Sequence, residues 1–513
     1  MIHFNQFYTS NGETLLYVGR PNLDMLNNLA NGPGDLWHSG LDQGYKNIFS
    51  EIIYQTAAFF TFNSDFEGRS QAVSWRINSR AFAVRQSVWL QTKGFDNDYD
   101  TIDSAALDFG FNYLRYHGLV PLYVKNLFEA LPASKTIQLP PKDRFMFFRK
   151  NFKPHHSSYM LLRSGFWRFS NLKAFFLTRN VPRVESRKDI VPRKLKAISG
   201  TPTVSYIIPT MLRQEFMLQL LNDLENQSYL PTEVIIVDAT PQDKRHLECY
   251  KTDKYSFKLK VVWQTSRGSC RARNEAISLS IGDFLVFGDD DIRIPSDFIE
   301  NHLRLIQTYG VEACNGMDIK ADHQNQTLAD LDMKLQLLDE KRWKVGVAQM
   351  FSNANSCVSR RIIEELGGND VNFDGGYGED SDFGFSIFQK GYVVLHNPFS
   401  VNLHLKPPSG GYRFWGSGSR LLGKKRKPQP WELDQPVKFV RPVPSPTIMY
   451  GLLKNSTEEQ LMEYKIKYFL NYFMKSPRLS WPFKIINLPI KLLQYNRSVY
   501  YATKLLKKGR QLK

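Results

Sequence analysis

Residues 282–291 read Gly282-Asp283-Phe284-Leu285-Val286-Phe287-Gly288-Asp289-Asp290-Asp291, a short apolar run closed by a glycine and three consecutive carboxylates. A run this short without polar alternation suits a strand buried on both faces, as in a parallel sheet covered by helices. Three adjacent anions repel one another, so a fold tolerates them only where solvent, hydrogen bonds or a cation compensates. Hard divalent ions such as Mg²⁺ or Mn²⁺ take oxygen ligands and combine one or two carboxylates with the phosphates of a substrate. The acids alone equally fit a solvated loop that caps the next helix, a role for which Pro295 and Ser296 are also present.

Outward from this run, the segment from Thr201 to Gly423 alternates apolar runs with helical patterns. Val204 to Ile208, Val234 to Val237 and Lys260 to Trp263 read as further buried strands. Between the first two, Phe216, Met217, Leu220, Leu221 and Leu224 recur at helical spacing, giving a strand, helix, strand unit. The expected fold class is α/β, with a mostly parallel sheet and helices on both faces, and ligands bind beyond the carboxyl ends of such strands. Residues 131–200, rich in basic and aromatic side chains, read as a partly helical linker. Residues 424–513 read as a second linker, Lys424-Lys425-Arg426-Lys427 followed by six prolines, and then a basic helical tail.

Several short motifs fall after the strands: Ile207-Ile208-Pro209-Thr210 with Arg213, Val234 to Asp238, Gly268 through Arg273-Asn274, the triple acid, Gly378-Glu379-Asp380, and His404. In this order and spacing the segment resembles family 2 glycosyltransferases of the GT-A fold. The resemblance implies a nucleotide-diphosphate sugar donor, a UDP-sugar, bound by Pro209, Thr210, Arg213, Asp238, Gly268, Arg273, Asn274, Asp289 and Asp290. It implies Mn²⁺ or Mg²⁺ on Asp289, Asp291 and His404, and Asp380 as general base with Glu379 beside it. Ala239-Thr240 stand where the family often carries a second acid and a Gly-Ser, which leaves the base of the nucleotide open. Asn353 and Asn355 are acceptor candidates, and Trp415 is one for stacking on a sugar ring. Competing readings are a nucleotidyltransferase, or an inactive glycan-binding or scaffold protein.

The chain also resembles itself. Asp108-Phe109-Gly110-Phe111 repeats Asp382-Phe383-Gly384-Phe385, and at the same offset Lys93 to Asp96 lies on Gly367 to Asp370. Gly118 meets Gly391 after a one-residue shift, and a fainter match sets Gly12 to Tyr17 on Gly282 to Phe287. Ala105 and Ala106 occupy the places of Glu379 and Asp380. Residues 1–130 are therefore expected to be a degenerate, non-catalytic copy of the acceptor half, serving as scaffold, homodimer surface or glycan-binding module.

The net charge of +17 is concentrated at one end: residues 464–513 hold twelve Lys and Arg and no acid, interleaved with aromatics such as Tyr468, Trp481 and Phe483. That composition suits an anionic membrane surface carrying a saccharide or lipid-linked acceptor, and no motif for nucleic acid accompanies it. The four cysteines, at positions 249, 270, 314 and 357, lack the close pairing of a zinc site and are expected to be reduced, buried thiols. No run is long enough to span a bilayer and the N-terminus lacks signal-peptide character, so the expected location is cytoplasmic, peripheral at the inner membrane face.

Overall fold

The structure is a computed structural model and describes residues 2–50, 64–66, 68–130, 137–184, 187–251, 254–265, 267–338, 340–348, 351–412, 429–434, 437, 440–474 and 477–513. Residues 5–124 form a lobe around a six-stranded sheet. Its elements are β1 (Asn5–Tyr8), β2 (Thr14–Val18), α1 (Leu23–Leu29), β3 (Leu36–His38), β4 (Gln71–Val73), β5 (Phe82–Arg85), α2 (Gln86–Trp89), α3 (Ile102–Asn112) and β6 (Pro121–Val124). The strand order is β1-β2-β5-β3-β6-β4, and only β3 and β6 run parallel. Three helices follow in the stretch read as a linker: α4 (Pro141–Asn151), α5 (Pro154–Ser164) and α6 (Phe169–Leu177). They are packed rather than linking, because their aromatics complete the lobe's core: Phe147 of α4 stacks on buried Trp75, which meets Phe111 of α3 edge-on.

The second sheet has eight strands. Along the chain come β7 (Val204–Thr210), α7 (Gln214–Glu225), β8 (Glu233–Asp238), β9 (Lys258–Trp263), α8 (Ser269–Leu279), β10 (Phe284–Gly288), β11 (Ile292–Arg293), α9 (Phe298–Tyr309), β12 (Ala313–Lys320), α10 (Leu328–Gln336), β13 (Asn355–Ser359), α11 (Arg360–Leu366), α12 (Glu379–Gln389) and β14 (Val394–His404). Their order is β11-β14-β12-β13-β10-β7-β8-β9, with β7, β8, β9 and β10 parallel to their neighbours in that block and β13 inserted antiparallel between β10 and β12. The sheet is mixed but mostly parallel, as the buried, unalternating runs require. Every residue of β7 and β8 is buried. Four helices close the chain: α13 (Pro446–Asn455), α14 (Glu458–Met474), α15 (Trp481–Ile486) and α16 (Leu488–Lys508). The expected basic run Lys424 to Lys427 lies outside the described residues.

The two sheets share a pattern. β2-β5-β3-β6 repeats β10-β13-β12-β14 in order and direction, with α2 and α3 in the places of α11 and α12. Val84 pairs with Leu16 on one side and Leu36 on the other, and Val358 pairs with Leu285 and Ala313. This register sets Leu16, not Leu15, on Leu285, one residue from the sequence match, so Gly19 lies on Gly288 and Arg20, Pro21 and Asn22 stand where the acids stand. The antiparallel strand β1 occupies the place of β7, and among the described residues β8 and β9 have no counterpart in the lobe.

The correspondence extends to the helices after each sheet. Lys150 and Asn151 at the end of α4 hold Asp96 and Asp108, and Lys454 and Asn455 at the end of α13 hold Asp370 and Asp382. The seam between the halves is reciprocal. A Cβ on Gly118 would lie 3.0 Å from the Val345 carbonyl, and one on Gly391 would lie 2.8 Å from that of Gln71, with Gly118 and Gln71 the counterparts of Gly391 and Val345. Such exchange of contacts is the mark of a two-fold relation. Gly391→Ala, placed at φ +91° against a backbone oxygen, is expected to destabilise the protein by about 1–3 kcal/mol, read by chemical denaturation.

Candidate active site

The triple acid closes β10, and each carboxylate takes a different partner. Asp289 accepts from Arg273 Nη2 of α8 at 2.6 Å. Asp290, buried, accepts from Thr210 Oγ1 at the end of β7 (2.7 Å) and from Arg213 Nη1 (2.9 Å). Asp291 accepts from the same Arg213 nitrogen (2.8 Å) and lies 3.4 Å from His404 Nε2. That histidine is brought there by β11, which follows the acids directly and pairs Ile292 with His404 on β14.

The electrostatics follow from burial. Burial raises the Asp290 carboxyl, with Arg213 opposing and Asp291 adding to the rise, whereas Asp291, equally desolvated, is held low by His404 and Arg213. Burial disfavours the charged form of His404, but hydrogen bonds and charge from Asp291 and Asp318 outweigh it and raise the imidazole to about 10. Asp318, on β12, was not anticipated: it bonds His404 Nδ1 at 3.1 Å and is itself fixed by Asn402 Nδ2 at 2.8 Å. Asn402 in turn accepts from Asn355 Nδ2, and Asn355 meets His302 Nε2, so a buried polar chain runs from the core to His404. A lone acid late in an apolar strand was its only signal in the sequence.

Asp289, Asp291 and His404 each offer a ligand atom, and these atoms lie within 4.8 Å of one another. Two carboxylates and, once a cation displaces its proton, the imidazole of His404 held from behind by Asp318 make a donor set that fits Mn²⁺ or Mg²⁺. Beside them opens a cavity of about 560 Å³ lined by Asp289, His404, Asp318 and Asp380. Asp380 sits in the first turn of α12, where the helix terminus favours negative charge, and accepts from Asn353 Nδ2 at 2.7 Å. Glu379 is buried next to it.

Other expected residues are placed differently. Asn353 and Asn355 are fully buried, so neither meets an acceptor: Asn353 orients Asp380, and Asn355 belongs to the polar chain. Asp238, also fully buried at the end of β8, has its oxygens on the Thr240 N–H and the Tyr250 hydroxyl. Pro209 is internal to β7. Gly268 precedes α8 and leaves room for Asp374, whose carboxylate, raised to about 6 by burial against the pull of the Cys270 N–H and Arg271, caps that helix. The Asn274 amide, midway along α8, holds Asn369 and the Leu512 carbonyl. Trp415 lies outside the described residues. Cys270, Cys314 and Cys357 are buried free thiols.

Comparison with known proteins bears on this arrangement. Residues 205–367 match the profile of glycosyl transferase family 2. These residues form a family 2 glycosyltransferase domain. The chain is 34% identical over 106 residues to the amylovoran biosynthesis glycosyltransferase AmsB of Erwinia amylovora, covering 20% of this chain and 35% of that protein. It is 26% identical over 140 residues to the poly(ribitol-phosphate) beta-N-acetylglucosaminyltransferase TarS of Staphylococcus aureus, covering 25% and 24%. The aligned region thus spans about a third or less of these relatives' own length. Among solved structures, TarS 1-349 in complex with UDP-GlcNAc aligns at 16% identity with a TM-score of 0.36, over 58% of this chain and 81% of that one. Among the described residues no helix is long and apolar enough to cross a membrane.

Arg213 is the shared cation of two adjacent buried acids. Arg213→Ala is expected to cost on the order of 3 kcal/mol, because it leaves Asp290 and Asp291 desolvated side by side, and equilibrium unfolding measures it.

Proposed function

We propose that the chain is an inverting, metal-dependent glycosyltransferase that moves a sugar from a nucleotide-diphosphate sugar, a UDP-sugar, to a saccharide or lipid-linked saccharide. The observation that carries the reading is one cavity with the candidate cation ligands Asp289 and His404 and the carboxylate of Asp380 on its walls. The acceptor hydroxyl attacks the anomeric carbon, its proton passes to Asp380, and the bond from that carbon to the diphosphate oxygen breaks. Attack opposite the leaving group inverts the configuration. A divalent cation on Asp289, Asp291 and His404 would offset the negative charge left on the diphosphate. Asn353 keeps Asp380 aimed, and Arg273, protonated despite burial because Asp289, Asp380 and Glu379 surround it, ties the two acidic groups together.

The lobe is read as a degenerate duplicate without activity. Ala105 and Ala106 are buried in α3 where α12 carries Glu379 and Asp380, and among the described residues its sheet has no counterpart of β8 and β9. Asp380→Asn is expected to lower turnover by about 10²–10⁴-fold while UDP still binds in the presence of Mn²⁺, measured by product formation and calorimetry. Turnover close to that of the unaltered protein would remove Asp380 from the base role.

We also propose that the C-terminal helices rest on an anionic membrane at the inner face. α16 packs through Tyr495, Tyr501 and Leu505, while α15 and the start of α16 present exposed apolar side chains: Phe483 and Ile486 are 70% and 73% exposed, beside Lys484 and Lys491. Aromatic and aliphatic side chains ringed by lysine suit the headgroup region. Phe483→Glu with Ile486→Glu is expected to release the protein from vesicles containing phosphatidylglycerol in a flotation assay, with the fold retained by circular dichroism. Undiminished flotation would count against this surface.

A further inference from the structure

We infer that the N-terminal lobe keeps a second saccharide cavity, the counterpart of the one beside Asp380, and that it binds an uncharged stretch of the acceptor without acting on it. This rests on reading the cavity beside Asp380 as the acceptor site.

A cavity of about 440 Å³ opens in the lobe, with Arg20, which stands in the place of Asp289, on its lining. Backbone pairing sets the two cavities at the same place in the two halves. The Ser74 N–H donates to the Pro121 carbonyl and the Ala348 N–H to that of Val394, at the starts of β6 and β14. Ser74 and Ala348 are 274 residues apart, as are Val84 and Val358, so the chain between them matches without a gap and sets Asn78 on Ser352 and Arg80 on Ala354. Arg20, Asn78 and Arg80 line the lobe cavity, and Asp289, Ser352 and Ala354 line the one beside Asp380. In each half the chain leaving the strand also bridges back antiparallel, Pro21 to Phe128 and Ile292 to His404. Phe128 thus lines the lobe cavity from the segment that in the other half brings in the histidine.

The lining has been rebuilt rather than filled. β12 runs on to Lys320, whereas β3 stops at His38 and the chain coils into a 3₁₀ turn, Gly40–Gln43, which brings Gln43 and Tyr45 to the cavity. The Tyr45 hydroxyl donates to Asp103 Oδ1 at 2.7 Å, Ser79 Oγ donates to the same oxygen at 2.6 Å, and Asn78 Nδ2 donates to Gln43 Oε1 at 2.8 Å. Gln43, Tyr45 and Asn78 are buried, so this network is fixed before any ligand arrives. Asp103 lies in the first turn of α3, two residues before Ala105. The lobe's one extra residue relative to the catalytic half falls after Asp108, where a π-helical turn, Tyr113–His117, absorbs it, and so leaves the cavity in register.

Beside this network stand groups with bonds to give. Asp103 Oδ2 and the side chains of Arg20, Arg80 and Glu129 make no hydrogen bond or ion pair with a described residue, and Arg20, Arg80 and Glu129 are exposed. Two guanidiniums and two carboxylates balance, so a cation is opposed by the first pair and an anion by the second. A sugar hydroxyl both donates and accepts, and it meets a carboxylate and a guanidinium equally well. Phe128, Ala81 and Ile137 offer apolar surface for the C–H faces of a ring, and the volume falls within the range of about 300–1,000 Å³ usual for small-ligand sites. The cavity binds without turnover because Ala105 and Ala106 replace Glu379 and Asp380 and, among the described residues, the lobe has no counterpart of β8 and β9. A glycan held there stays at high local concentration near the catalytic half.

The test applies the full chain to an array of neutral and acidic bacterial surface glycans and titrates each captured glycan calorimetrically. Capture of at least one neutral glycan is expected. Arg20→Gln combined with Arg80→Gln, both at exposed positions, should weaken its binding tenfold or more, with circular dichroism and UDP affinity in Mn²⁺ unchanged. Asp103→Asn, which keeps an acceptor for Tyr45 and Ser79, should weaken it as well. Capture of acidic glycans alone, or of none, overturns the inference. Binding undiminished in both the double variant and Asp103→Asn also overturns it, by assigning the glycan to the catalytic cavity. If Asp380→Asn turns over normally while the binding that depends on Arg20 and Arg80 persists, the base assignment fails and the lobe site stands. If Asp380→Asn is inactive and the double variant binds as the unaltered chain does, the lobe site fails alone.

Discussion

Everything at the catalytic end of the large sheet answers to the repulsion among three carboxylates at the end of one strand. Asp290 turns inward to Thr210 and Arg213, which ties β10 to β7 and fixes the start of α7. Asp289 turns to Arg273 and so fixes α8. Asp291 draws His404 across from β14, and Asp318 holds that histidine from behind. The acids are thus each satisfied by a different element, and the cost of gathering them is met by cations drawn from the sheet's two sides. Preorganised charge of this kind is what a site needs if a second charged group is to enter it.

The same architecture used twice gives two outcomes. In the lobe the acid positions hold Arg20, Pro21 and Asn22, and the positions of Glu379 and Asp380 hold Ala105 and Ala106. What the lobe keeps is its packing: the Lys150 and Asn151 clamp on Asp96 and Asp108 matches that of Lys454 and Asn455 on Asp370 and Asp382. Conserved scaffolding with altered site residues leaves the lobe's surface available to its partner half.

The strands and the order of the motifs were legible in the sequence because β7, β8 and β10 are buried on both faces and carry almost no polar residues. The internal repeat was legible in Asp108 to Phe111, yet its register near β2 was off by one, since short apolar strings align equally well at neighbouring positions. The helices at 141–177 were read as a linker because their apolar faces are interrupted by basic residues, and their match to α13 is hidden by a different spacing from the sheet. Asn353 and Asn355 read as acceptor candidates; the fold buries them, one aiming Asp380 and the other in a chain of amides reaching His404. Asp318 and Asp374 act through contacts far along the chain, and no local pattern announces them.

The π-turn at Tyr113–His117 amounts to one codon. An insertion that would break most helices is accommodated here because it falls at the end of α3, where the chain leaves for Gly118 and its left-handed turn. The turn ends at Gly118, which meets the Val345 backbone across the seam, so the extra residue is taken up next to the contact between the halves.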